Sequence, residues 1–217
     1  MHVTTVWPTI CTTGLAVIGA MCSAPVLYRG FKRRGTGVFY EQDFLIQRAP
    51  QYSTLLTVIV IVLSFLAGIG AIGGTLADIL CPVYAAAPKL AVVLAWVGVL
   101  LFVSGLVFMI GGWYSLGECF TTDAEVLDGH KVRKGGLLKF VMHPAYSGII
   151  QGVLGAALAS VSPLAVALTL FVVAPLWLNR AKYEEKLLLE SLGPEYKEYG
   201  EEMKWRRLVP KFFPIGV

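Results

Sequence analysis

Uninterrupted apolar runs constrain this chain more than any other feature. Residues 9–27, 53–75 and 89–110 each hold about 18 or more residues with almost no charge, enough to cross the hydrocarbon core of a bilayer. A further run, residues 148–178, is nearly unbroken apolar sequence, interrupted by Ser160, Ser162 and Pro163. One spanning helix takes about 20 residues and two take about 40, so this run reads as two helices joined by a tight Ser-Pro turn. The second continues past the bilayer: Leu187, Leu188 and Leu189 beside Glu184, Glu185, Lys186 and Glu190 keep helical spacing, and Gly193-Pro194 stops the helix. Hydrophobic residues make up 56% of the chain and charged ones 15%, an apolar excess that excludes an ordinary soluble domain. The expectation is an all-α, polytopic membrane protein with about five transmembrane helices and a C-terminal helical hairpin, a single membrane domain over residues 1–217.

Charge orients these helices. The cluster Arg29, Lys32, Arg33, Arg34 follows the first run, whereas a cleaved signal peptide carries its basic residues in front, so a retained first helix is expected. The positive-inside rule puts the loop bearing that cluster in the cytoplasm, with the N-terminus outside and, after five crossings, the C-terminus inside. Residues 77–88, with Asp78, Cys81 and Pro82, carry little charge and suit an external loop, while Tyr40-Glu41-Gln42-Asp43 suits the interface. Gly68, Gly70, Gly73 and Gly74 allow close approach of a neighbouring helix. The tail sets Tyr196, Tyr199, Trp205 and Phe212-Phe213 among Lys and Arg, a mixture that suits packing at the membrane surface. The net charge of +4 lies in loops and tail, fitting anionic headgroups better than nucleic acid. Cys11, Cys22, Cys81 and Cys119 lack metal-type spacing, and no metal is expected.

Polar residues of both signs stand at the two mouths of the hairpin, where they are expensive to place beside lipid. Proline biases His143 of the His143-Pro144 pair away from helix, although the same dipeptide also reads as a plain helix start. Tyr146 lies on the same face as His143, and Gly148 leaves room for a ligand against the backbone. Arg180 and Glu184, four apart, read either as a simple salt bridge or as part of a site where the last helix leaves the bilayer. The connection 111–142 is long and aperiodic, as functional loops often are, and Gly135-Gly136 precede the His-Pro pair.

In order, His-Pro-x-Tyr-x-Gly after a Gly-rich approach, two short apolar helices, Arg-x-x-x-Glu-Glu, Gly-x-x-Tyr-x-x-Tyr and a late proline resemble the isoprenylcysteine carboxyl methyltransferase family. That family shares its C-terminal pattern with phospholipid methyltransferases. The resemblance runs from Leu116-Gly117 through Gly193, Tyr196 and Tyr199 to Pro210, while residues 1–110 match only as membrane helices. Met142 and Leu138 stand where the family usually has arginine and an aromatic residue.

The resemblance implies a scaffold over residues 1–110 and a cofactor-binding and catalytic region over 111–217, with S-adenosylmethionine in a cytosolic pocket. It places Leu116, Gly136, His143, Pro144, Tyr146, Gly148 and Glu185 at the cofactor, and Arg180 and Glu184 in catalysis, with Arg180 facing the reacting end of the substrate. The implied acceptor is the C-terminal carboxylate of a prenylated cysteine, with membrane lipids as partners. The implied membrane is the endoplasmic reticulum of a eukaryote or the inner membrane of a prokaryote.

Chemistry distinguishes two acceptors. Methyl transfer is an in-line displacement, which asks the enzyme chiefly to align and desolvate the reactants. A carboxylate is already ionised and needs a cation such as Arg180, while the Tyr146 face offers a sulfonium about 0.5–2 kcal/mol of cation–π attraction. The amine of phosphatidylethanolamine would instead need a base, Glu184, Glu185 or His143. The first predicts a rate flat near neutral pH, the second a rate rising with pH. A sterol-reductase-like oxidoreductase lacks support, as no dinucleotide glycine motif is present. A channel or transporter should show intramembrane charges or a repeated half, and the first three helices have neither.

Overall fold

The computed structural model of the protein describes residues 3–37, 39–40, 43–81 and 87–209. Glu41, Gln42, Pro82, Pro210, Phe212 and Phe213, on which some of the expectations above rest, lie outside the described residues. The elements in order are α1 (Val3–Arg33), β1 (Phe39–Tyr40), α2 (Phe44–Gln47), α3 (Ala49–Gly68), α4 (Thr75–Leu80), α5 (Pro88–Leu116), β2 (Glu125–Val126), α6 (Pro144–Ala159), α7 (Pro163–Leu168), α8 (Ala174–Leu192) and α9 (Pro194–Glu202). A π-helical turn, Thr169–Val173, joins α7 to α8. Among the described residues the chain is all-α apart from one antiparallel pair, with Phe39 opposite Val126 and Tyr40 opposite Glu125. Four helices, Val6–Arg33, Ala49–Gly68, Pro88–Cys119 and Pro163–Leu192, are long and apolar enough to cross a membrane, and α6 adds a shorter apolar helix of 16 residues.

Three expectations change. The Arg29–Arg33 cations lie on α1 itself, where they suit the negative end of the helix dipole, and Arg33 Nη1 donates to the carbonyls of Gly117 and Glu118 at 3.3 and 2.8 Å. Among the described residues the glycines after α3 meet no neighbouring helix. Gly70 and Gly74 take φ of +80° and +70°, nothing lies within 4 Å of a Cβ built on Gly70, Gly73 or Gly74, and the segment is a turn. Tyr196 and Tyr199 point inward rather than to a membrane surface.

The chain forms two compact units. The first comprises Met1–Gly19, Gln51–Leu106 and Ile150–Pro175. Within it α5 and α6 approach almost backbone to backbone: a Cβ on Gly98 would strike Ala159 and Gly155, and one on Gly155 would strike Phe102. Ser104 Oγ donates to Gln151 Oε1 at 2.7 Å beside this contact. The Ser-Pro turn forms as expected. Ser162 caps α7 by accepting from Ala165 N, Pro163 occupies the first turn, and Val161 takes a left-handed φ of +52°.

The second unit comprises Ala20–Pro50, Val107–Ile149 and Leu176–Val217. Its core gathers Val126, Met142, Leu187, Leu188, Tyr196, Tyr199 and Met203. The Tyr199 hydroxyl donates to Leu138 O at 2.8 Å. After α9, Lys204 and Trp205 adopt φ of +53° and +51°, folding the Trp205 ring over Gly200 and sending the chain back along the start of α6. There the N–H groups of Met142 and His143 donate to the carbonyls of Arg206 and Arg207 at 2.8 and 2.9 Å, and Ser147 Oγ donates to Leu208 O at 2.5 Å.

The α5–α6 contact yields a prediction. Gly155→Val should destabilise the protein by about 1–3 kcal/mol, as overpacking does. Gly152→Val, on the same helix with open space around its Cβ, should cost little. Thermal melts of the two variants in detergent check this.

Candidate active site

The hairpin mouths meet in the second unit, and the residues that meet there are those singled out from sequence. His143 lies just before Pro144, its carbonyl accepting the N–H of Ser147 in the first turn of α6. Tyr146 stacks on the His143 ring, with centroids 5.4 Å apart and planes within 2°. Gly148 is buried one turn further on. From α8, Trp177 brings its ring to 4.8 Å from Tyr146, and Arg180, Glu184 and Glu185 follow on the next turns.

Arg180 is 2% exposed and held from three sides. Its Nε donates to Tyr146 Oη at 3.1 Å, Nη1 to Gln47 O at 3.1 Å and Nη2 to Thr122 O at 2.8 Å. The guanidinium carbon lies 5.8 Å from the Tyr146 centroid and 5.5 Å from that of Trp177. The Tyr146 hydroxyl donates in turn to Glu184 Oε2 at 2.6 Å. Arg180 and Glu184 are thus linked through a tyrosine hydroxyl and do not form the plain i,i+4 pair. Of the five N–H groups of a guanidinium, three are used among the described residues, leaving one on each terminal nitrogen.

Beside this relay stands a second one. His143 Nε2 lies 3.2 Å from Glu185 Oε1, and Glu185 Oε2 accepts from Arg207 Nε at 3.0 Å, with Arg207 Nη2 in an ion pair 2.9 Å away. His143 Nδ1 is 3.9 Å from Glu184 Oε2. The two carboxylates therefore face one imidazole from neighbouring positions of α8.

Leu116 and Gly136 enter differently. Gly136 has φ of +59°, and a Cβ there would collide with Ser115 Oγ, which donates to Gly111 O at 2.6 Å and accepts from Leu137 N at 3.1 Å. Gly112 lies against the Ala145 backbone at the foot of α6. Leu116 and Gly136 thus adjoin the site through Ser115 and Ala145; among the described residues they make no hydrogen bond to His143, Tyr146 or the glutamates.

Several residues here were not foreseen. Arg207 looked like one more tail cation. Gln47 and Asp123 sit in segments with no periodic pattern, and pairing across more than 70 residues leaves no local signal. Among the described residues, His130 Nδ1 and Arg206 Nη1 are buried without a hydrogen-bond partner. Burial pushes the His130 pKa down, the charge of Glu184 opposes that shift and the charge of Arg133 adds to it.

Comparison with known proteins bears directly on this constellation. Residues 93–195 match the family model described as phospholipid methyltransferase. Protein-S-isoprenylcysteine O-methyltransferase of Saccharomyces cerevisiae (strain ATCC 204508 / S288c) is 30% identical over 118 residues, 54% of this chain and 48% of that protein. Probable protein-S-isoprenylcysteine O-methyltransferases of Oryza sativa subsp. indica and subsp. japonica are each 27% identical over 111 residues, 50% of this chain and 58% of theirs. The chain spans about half the length of the curated relatives it matches. The matched stretch contains His143, Tyr146, Arg180, Glu184 and Glu185, and leaves out Gln47 and Arg207.

The lowered His130 pKa predicts a pH effect. The unfolded chain takes up this proton more readily than the folded one. Stability is therefore complete above the ordinary value of 6.5 and is lost as pH falls from there through the lowered folded value. The melting temperature of the wild type should drop between about pH 7 and about pH 5, and His130→Gln should flatten that part of the curve.

Proposed function

We propose that this chain is an integral membrane methyltransferase that uses S-adenosylmethionine to methylate the C-terminal carboxylate of a prenylated cysteine. The observation that carries the reading is the charge arrangement around Arg180. The nearby carboxylates already hold partners, Glu184 with Tyr146 and Glu185 with Arg207 and His143, whereas Arg180 keeps two N–H groups for an incoming acceptor. A site built this way receives an anion more readily than it deprotonates an amine.

The residues present fit the methyl donor. S-adenosylmethionine carries a carboxylate, an ammonium, a sulfonium and an aromatic base. The buried, unpartnered Arg206 Nη1 suits the carboxylate, and His130 Nδ1 is a second polar atom in want of a partner. Glu184 and Glu185 offer acceptors for an ammonium, and the rings of His143, Tyr146 and Trp177 offer faces. His143, Pro144, Tyr146, Gly148 and Glu185 would hold the donor, with Leu116 and Gly136 shaping the adjoining loop. When bound, this cofactor supplies an electrophilic methyl group on sulfur.

The chain's own part is binding and alignment. The two remaining N–H groups of Arg180 hold the acceptor carboxylate in a fixed orientation, since the other three donors fix the guanidinium itself. Tyr146 keeps Glu184 and Arg180 apart and holds both. Burial among Trp177, Tyr146 and the apolar residues of α8 keeps water from the reacting groups. No general base is required, because the carboxylate is ionised at neutral pH. The prenyl chain stays in the bilayer, and the positive-inside rule puts the site on the cytoplasmic face. A second reading, methylation of a phosphatidylethanolamine-type amine, is favoured by the name of the matching family; Glu184 would then be the base.

Purified protein offered radiolabelled S-adenosylmethionine with a farnesylated cysteine analogue and phosphatidylethanolamine should place label in a base-labile ester on the prenylcysteine, at a rate flat around neutral pH. Label in the headgroup, with a rate that climbs with pH, would instead establish the amine reading. Arg180→Ala should lower kcat/KM by about 10- to 100-fold, the loss expected for hydrogen bonds to a charged group. An unchanged rate in that variant would remove Arg180 from the reaction.

A further inference from the structure

The carbonyls that hold Arg180 come from segments 133 and 58 residues away in sequence, Gln47 in α2 and Thr122 in the loop after α5. Neither belongs to the helix bearing Arg180, so something must keep these two strands of backbone side by side. The Gln47 side chain, 2% exposed, does so directly. Its Nε2 donates to Ala124 O and its Oε1 accepts from Ala124 N, both at 2.9 Å, so one amide pairs with the main chain as a neighbouring strand would. Asp123, next to Ala124, accepts from Arg48 Nη1 at 2.9 Å on Oδ1 and from Arg34 Nε at 2.9 Å on Oδ2, with its side chain 1% exposed. Glu125 closes the far side, accepting from the N–H groups of Gly35 and Gly37 at 3.1 and 2.8 Å and from Thr121 Oγ1 at 2.6 Å. The β1–β2 pair continues the same clasp.

Buried ion pairs contribute little net stability compared with apolar packing, because desolvation offsets much of the attraction. Their strength is geometric. Here the geometry converges on the two carbonyls that set the Arg180 guanidinium. We infer that Gln47 and Asp123 are positioning residues, and that Arg34, Gln47 and Arg48, outside the family-matched region, act through Asp123 and the Ala124 backbone to orient Arg180 toward the acceptor carboxylate. The orientation of Arg180 stands on the contacts alone; its consequence for catalysis rests on the function proposed above.

The test uses full-length protein in detergent and three variants, Gln47→Ala, Gln47→Met and Asp123→Asn. Exchange of the Arg180 side-chain N–H protons is followed by NMR in arginine-labelled protein, with the signal assigned by its loss in Arg180→Lys. Exchange should speed up by about tenfold or more in the Gln47 variants, the loss of roughly one net hydrogen bond; unchanged exchange would overturn the inference. In the transfer assay, kcat/KM for the prenylcysteine should fall by a similar factor while S-adenosylmethionine affinity holds. A parallel fall in donor affinity would mean a merely structural role and would also overturn it. Gln47→Ala on an Arg180→Lys background should add almost nothing to the kinetic defect, whereas full additivity would show that Gln47 does not act through Arg180. Gln47→Met, which keeps chain length and apolar bulk, carries the measurements should the alanine variant fail to fold. A wild type that transfers no methyl to prenylcysteine would sink the proposed function, and the exchange measurement would still decide the positioning role.

Discussion

Burial of one guanidinium is the constraint on which the second unit depends. Removing a full charge from water costs several kcal/mol even after relaxation, and the cost is offset only when the donors are met by well-placed acceptors. Arg180 lies on a helix whose earlier turns are apolar, and that helix offers it no acceptor. Its partners come from the start of α6, from α2 and from the loop before β2. Three segments far apart in sequence must therefore converge before Arg180 is tolerated at all. The rings of Tyr146 and Trp177 complete its surroundings with favourable faces rather than more donors.

The same logic separates what could be read from the sequence from what could not. Apolar runs and their lengths revealed the helices, because the number of residues needed to cross a bilayer leaves few alternatives. Ser162-Pro163 and Gly193-Pro194 marked their turns, since each is a local stop or cap. The helix ends were less legible. α1 and α5 run on past their apolar stretches, because charged and aromatic residues extend a helix as readily as apolar ones when tertiary contacts wait at the end. Glycines misled in one place and were overlooked in another. Those after α3 make a turn, whereas Gly98 and Gly155, unremarkable within apolar runs, permit α5 and α6 to meet almost backbone to backbone.

At the site, His143, Tyr146, Arg180, Glu184 and Glu185 converge because helical spacing already set them on facing turns. What spacing does not encode is which group stands between which. The Arg180–Glu184 interval suggests a direct pair, yet Tyr146 inserts its hydroxyl and makes the contact a relay. Arg207 and Gln47 carry no signal at all, because each acts through a partner met only once the tail and the first loop have folded back. The tail owes its course to two left-handed residues, Lys204 and Trp205, whose conformation neither residue type announces.

Charge balance links this architecture to the choice of acceptor. In the described geometry Glu185 is compensated by Arg207, and Glu184 and Arg180 compensate each other through Tyr146, so these four groups carry no net charge between them. In the proposed reaction S-adenosylmethionine brings one net positive charge, from a sulfonium and an ammonium against a single carboxylate. An acceptor carboxylate brings one negative charge, which offsets that of the donor before the methyl moves. A protonated amine would add a second positive charge to the same enclosed space and would have to lose its proton first, to a carboxylate already engaged by Tyr146. In a low-dielectric site such an imbalance is felt far more strongly than in water. On the proposed reading, the clasp that binds the first loop to Asp123 and Gln47 then bears on selectivity as well as on shape, because it holds a cation whose two remaining N–H groups would tell an incoming anion from an incoming cation.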